Sequence, residues 1–128
     1  MDDQLYREYI LEHYKRPHHW GTLESPDLEA HDLNPLCGDE LQVQLAVDDE
    51  GRISDVAFSG HGCAISQASA SIASEELKGM TLEEVGRLDA DWMIDLLGIP
   101  VSATRRKCAL LNLKVVRGAV TGDHAWPS

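Results

Sequence analysis

The sequence predicts an α+β fold: a small antiparallel three-stranded sheet with helices packed on one face. Three observations carry this expectation. Period-two alternation of apolar residues is confined to the stretch from about residue 28 to residue 58, an amphipathic helical pattern precedes it, and all apolar spacing after Gly62 is helical. Strands gathered in one block and helices in others argue against alternating βαβ units. At 128 residues with 43% hydrophobic and 26% charged content, the chain suits one soluble core, and residues 1–128 are expected to form a single domain.

Each element has a local reason. Leu5, Tyr9, Ile10 and Tyr14 recur at helical spacing among charged neighbours, which predicts a first helix over 4–16 that docks through these residues and stops before Pro17. His13, His18 and His19 invite a metal reading, but His18-His19 lies in a turn punctuated by Pro and Gly, and adjacent histidines there read as solvated rather than as a site. Residues 28–33 form a short edge strand. Leu41, Val43, Leu45 and Val47, then Asp48-Asp49-Glu50-Gly51, then Ile53, Val56 and Phe58 read as a β-hairpin. Ile65, Ala68, Ile72, Ala73 and Leu77 mark a helix ending at Gly79, rich in small residues that permit close approach to the sheet. Thr81-Leu82-Glu83-Glu84 is a capping-box signature, residues 89–97 make another short helix, and a last helix carries Cys108, Leu111, Val115 and Val116 to about Gly118. The tail 121–128 is expected to fray.

Composition excludes several classes of function. A formal net charge of −11 is unsuited to nucleic acid or to an anionic membrane surface, both of which need basic protein surface. No apolar run approaches the roughly 18–20 residues of a membrane span. The N-terminal stretch is acidic and amphipathic, so no secretory signal is expected and the cytoplasm is the default location. Three cysteines, an odd number without short spacing, fit reduced thiols better than a disulfide framework.

Chemistry concentrates in Asn34-Pro35-Leu36-Cys37-Gly38-Asp39, a shaped loop that sets a thiol and a carboxylate two residues apart across a glycine. Cys63 follows a glycine-rich strand-to-helix turn, where helix-terminal N–H groups favour a thiolate. Cys108 follows Arg105-Arg106-Lys107, whose charges do the same. Three buried, inert thiols are the plain alternative. The surroundings favour a four-ligand site of three thiolates and one carboxylate, Cys37, Asp39, Cys63 and Cys108, of a kind zinc accepts. His61 reads as a solvated loop residue.

These residues also carry a family likeness. Leu5-Tyr6-Arg7-Glu8 through His13-Tyr14-Lys15-Arg16-Pro17, Asn34 to Asp39, Gly60-His61-Gly62-Cys63-Ala64-Ile65-Ser66 and Arg105-Arg106-Lys107-Cys108 resemble the IscU/SufU/NifU-type iron–sulfur cluster assembly proteins over nearly the whole chain. The resemblance implies a SufE/NifU-like fold and a metal site at Cys37, Asp39, Cys63 and Cys108. Lys107 stands where the scaffold branch has histidine, and Ile99-Pro100-Val101-Ser102 matches that branch's chaperone motif only in part. Gly-Cys-Ala-Ile-Ser and Arg-Arg-Lys-Cys resemble the SufU-type branch instead, although the interval from Cys63 to Cys108 is too short for that branch's usual insertion.

By this resemblance the protein is a zinc-bound acceptor of persulfide sulfur from a pyridoxal-phosphate cysteine desulfurase. A desulfurase histidine would displace Cys37 from zinc, Cys37 would take the sulfur, and Arg105 would hold the displaced thiolate or Asp39. Sulfur would pass on to an iron–sulfur scaffold or an apo-protein. The alternative is a scaffold on which a [2Fe–2S] cluster is built with the same ligands; a structural zinc site is disfavoured by the exchangeable carboxylate corner.

Overall fold

A computed structural model describes the backbone of residues 3–36 and 38–128, with side chains from Arg7 onward. Its elements are α1 (Asp3–Lys15), β1 (Leu28–Asn34), β2 (Asp39–Val47), β3 (Ile53–His61), α2 (Ala64–Leu77), α3 (Leu82–Gly86), α4 (Ala90–Leu97) and α5 (Ala103–Thr121). The strands form one antiparallel sheet in the order β1-β2-β3, in agreement with the expected α+β class.

Alternation decides which face of the sheet is covered. Leu41, Val43 and Leu45 of β2 pair with Gly60, Phe58 and Val56 of β3, and all but the glycine are fully buried apolar side chains. Ile53 joins the same face although it lies three residues before Val56. The register shifts between Ala46 and Val47, so that Asp55 pairs with Ala46 and Ile53 with Val47, and the intervening Ser54 is the extra residue of a bulge. Gly60 is required by close approach: a Cβ there would lie 2.1 Å from the Glu40 carbonyl oxygen. The outer edge of β3 is covered by residues 19–21, where the Phe58 N–H donates to His19 O and the Gly21 N–H to Phe58 O.

Helices α2 and α5 form a middle layer. One apolar cluster joins the sheet residues to Ala70, Leu77, Leu111, Val115 and Val116, and a second joins Ile10, Ala68, Ile72, Ala73, Met93, Leu97, Leu110 and Leu113. Burial between two clusters accounts for the composition of α2, where Ser66, Ser69, Ser71 and Ser74 are buried along with the alanines. The Thr81–Glu84 capping box forms with both of its hydrogen bonds, Asp89 caps α4, and Gly98 ends α4 in the left-handed region.

Three local expectations are corrected. Among the described side chains the inner face of α1 carries Ile10 and His13, while Tyr9 and Tyr14 are exposed; the Leu5 side chain lies outside the described residues. His13 is buried because Ser71 of α2 offers its hydroxyl 2.6 Å from Nδ1; the same oxygen accepts the His18 N–H at 2.7 Å, and His18 Nδ1 lies 2.5 Å from Glu75. The last helix does not stop near Gly118 but runs to Thr121, and Gly118 is a packing notch in which a Cβ would come within 2.7 Å of the His124 ring. The tail does not fray: Trp126 packs on both clusters, Pro127 is buried, and the Ala90 N–H donates to Ser128 O.

Candidate metal centre

Asp39 is the first residue of β2, pairs with Asn34, and points to the helix-covered face with Leu41 and Val43. Cys63 is the N-cap of α2, reached through Gly62. Cys108 lies in the second turn of α5 and is 2% exposed. The strand start and two helices bring a carboxylate oxygen and two sulfurs within 4.8 Å of one another. Cys63 is a free thiol. Cys37, the fourth expected ligand, lies outside the described residues.

The carboxylate is held on both oxygens. The Cys63 N–H donates to Oδ1 at 2.9 Å, and the Ser66 hydroxyl donates to Oδ2 at 2.6 Å. Oδ2 is also the oxygen that faces Cys63 Sγ, at 3.9 Å. Gly62 seals the arrangement, because a Cβ there would sit 2.8 Å from Oδ1 and 3.1 Å from the Ser66 Cβ. A compact group of two thiols and one oriented carboxylate is a donor set suited to a borderline-soft divalent cation.

Around this group the cations diverge. Lys107 Nζ lies 5.2 Å from the centre of the Trp126 ring, which also receives Lys114 at 5.3 Å. Lys114 pairs with Asp32 of β1 on the covered face of the sheet. Burial pushes the Asp32 carboxyl up, but the hydrogen bonds from Lys114 and the Leu33 N–H outweigh it, leaving its pKa below the ordinary value. Arg105, expected to serve the site, is exposed, and among the described residues its side chain makes no hydrogen bond or ion pair. Arg106 and Lys107 line a groove of about 550 Å³ with Leu36, Ala103 and Thr104. His61 is exposed, as expected, 3.3 Å from Glu40 on the other face of the sheet; hydrogen bonding by His31 holds the Glu40 carboxyl below its usual range.

Ser66 is a site residue that the sequence does not single out. In sequence it is one small residue among many in α2, and only the fold shows its hydroxyl between the candidate ligands.

Residues 5–124 match the family described as NifU-like N terminal domain. The chain belongs to this family. It is 32% identical over 123 residues to the iron–sulfur cluster assembly scaffold protein IscU of Haemophilus influenzae, covering 94% of this chain and 96% of that one. It is 34% identical to the zinc-dependent sulfurtransferase SufU of Bacillus subtilis, covering 95% and 93%. That alignment spans 140 positions against the 128 residues of this chain, so the SufU relative has extra residues that this family member lacks. Among solved structures, the N-terminal part of a nitrogen-fixing NifU-like protein from Brucella abortus superposes with a TM-score of 0.73 at 27% identity, covering 92% of this chain and 93% of that one. Among the described residues, no helix is long and apolar enough to cross a membrane.

Proposed function

We propose that the protein works in iron–sulfur cluster assembly as a zinc-holding acceptor of persulfide sulfur, with Cys37, Asp39, Cys63 and Cys108 as the metal ligands. The observation that carries this reading is the convergence of Asp39, Cys63 and Cys108 within 4.8 Å, with the carboxylate oriented by the first turn of α2. The SufU relative's printed description as a zinc-dependent sulfurtransferase supports zinc as the ion. Bound zinc would keep the cysteine sulfurs deprotonated near neutral pH.

The acceptor is Cys37. The residues on either side of it are exposed, Leu36 to 81%, whereas Cys108 is buried and Cys63 is fixed at the start of a buried helix. Gly38 next to it has a φ of 72° and open space where a side chain would be. A desulfurase histidine would take the place of Cys37 among the ligands, and the freed Cys37 thiolate attacks the terminal sulfur of a persulfide carried by a pyridoxal-phosphate cysteine desulfurase. An S–S bond forms at Cys37, the desulfurase S–S bond breaks, and the desulfurase cysteine leaves as a thiolate. Arg105, exposed and unengaged among the described residues, neutralises sulfur anions at the mouth of the site. The sulfur passes on to an iron–sulfur scaffold or apo-protein in the cytoplasm.

A second reading is favoured by the IscU relative, which matches over a similar span and is described as a scaffold: here the same four residues hold a [2Fe–2S] cluster as cargo. Metal and sulfide analysis of protein purified anaerobically without added metal separates the two. One zinc per chain and a colourless solution are expected; near-stoichiometric iron and sulfide with visible absorption would replace the first reading by the second.

A further inference from the structure

We propose that Ser66 is a positioning residue for the metal-binding group, one that presents Asp39 Oδ2 to the ion. Its side chain is fully buried and reaches all three described members of the group: the hydroxyl donates to Asp39 Oδ2 at 2.6 Å, lies 3.2 Å from the Cys108 carbonyl oxygen, and is 3.7 Å from Cys63 Sγ. β2, α2 and α5 therefore meet at one hydroxyl.

An aspartate at a strand start can rotate about its terminal torsion, and only some of those orientations aim an oxygen at a cation between Cys63 and Cys108. Here both oxygens are held, Oδ1 by the Cys63 N–H and Oδ2 by Ser66. The Ser66 bond is the shorter, as expected for a hydroxyl donating to a carboxylate. Oδ2 has two lone pairs, so one can accept from Ser66 while the other faces the sulfur side, 3.9 Å from Cys63 Sγ. Residues that orient a ligand in this way typically contribute 10–100-fold to metal affinity. Alanine at position 66 keeps the helix propensity and backbone of α2 but removes the hydrogen bond to Oδ2, leaving the Cys63 N–H on Oδ1.

This rests on the reading of Asp39 as a ligand, and the test keeps the two apart. Zinc affinity is measured by competition with a chromophoric chelator for wild type, Ser66→Ala, Asp39→Ala and the double variant, each checked by circular dichroism to be folded. Ser66→Ala is expected to weaken zinc binding by about tenfold. The double variant is expected to bind no more weakly than Asp39→Ala, because Ser66 acts through Asp39. Unchanged or tighter binding by Ser66→Ala, with Asp39→Ala weakened, would overturn the role of Ser66 alone. A double variant about tenfold weaker than Asp39→Ala would also overturn it, by showing that Ser66 acts on the fold. Unchanged binding by Asp39→Ala would remove Asp39 from the ligand set.

Discussion

The Cys63 amide donates to Asp39 Oδ1 across 2.9 Å, tying the N-cap of α2 to the first residue of β2. Asp39 is therefore part of the fold as well as of the candidate metal centre. Asp39→Ala leaves a helix-terminal N–H and the Ser66 hydroxyl without this acceptor and is expected to destabilise the metal-free protein by about 1–3 kcal/mol in urea denaturation, without unfolding it. Asp39→Asn keeps an oxygen for Cys63 and is expected to recover much of that stability but not the zinc affinity. Recovery of both would mean that the charge of the carboxylate is not used.

Gly62 is small because the carboxylate lies against it. The Cβ of Gly62→Ala, 2.8 Å from Asp39 Oδ1, forces either the strand start or the turn to move. The expected result is a loss of about 1–3 kcal/mol in stability together with weaker zinc binding. Loss of stability with unchanged zinc affinity would show that the turn yields and the carboxylate does not.

His13 makes stability depend on pH. Burial first, and then the nearby His18 ring, lower its pKa below the ordinary 6.5, against smaller opposing effects of Glu75 and Glu12. Between the lowered folded value and 6.5, the unfolded chain binds more protons. The contribution of neutral His13 is thus fully present above pH 6.5 and is lost as pH falls through that window. Thermal unfolding is expected to show a larger drop from pH 7.5 to 5.5 for wild type than for His13→Gln. The neighbouring groups His18, His19, Glu75 and Glu12 remain in both proteins, so equal drops would exclude His13 as the source.

The C-terminal segment holds the helical layer together. Trp126 lies under Lys107 and Lys114 and touches both apolar clusters, while the Ser128 carbonyl accepts the Ala90 N–H at 3.1 Å. Trp126→Ala is expected to cost about 2 kcal/mol, from lost apolar burial and lost cation–π contact. A melting temperature equal to wild type would indicate that the tail is dispensable.

What could be read from the chain was what depends on local rules. The hairpin follows from alternation, although the bulge at Ser54 that puts Ile53 and Val56 on one face was not part of that reading. The Thr81 capping box is a four-residue pattern, and it forms as read. Asp39, Cys63 and Cys108 stood out because thiols and an acid at glycine turns and helix starts have few ordinary uses. Long-range contacts were less legible. His13 is buried because Ser71, far along the chain, has a hydroxyl to meet it, and Trp126 is anchored by lysines on another element. Ser66 is chemically indistinct from Ser69 or Ser74 until β2 and α5 are placed beside it. The burial expected for Tyr9 and Tyr14 and the frayed end expected over 121–128 failed for the same reason: the partner that decides them is not a sequence neighbour.

Sulfur placement tests the functional reading most directly. Wild-type protein is incubated with a cysteine desulfurase and cysteine, trapped by alkylation, digested and mapped by mass spectrometry, alongside Cys37→Ser. The additional sulfur is expected on Cys37, and Cys37→Ser is expected to accept none and to leave desulfurase turnover unstimulated. Sulfur confined to Cys108, with Cys37→Ser still accepting it, would contradict the role given to Cys37 and move the protein to the scaffold reading.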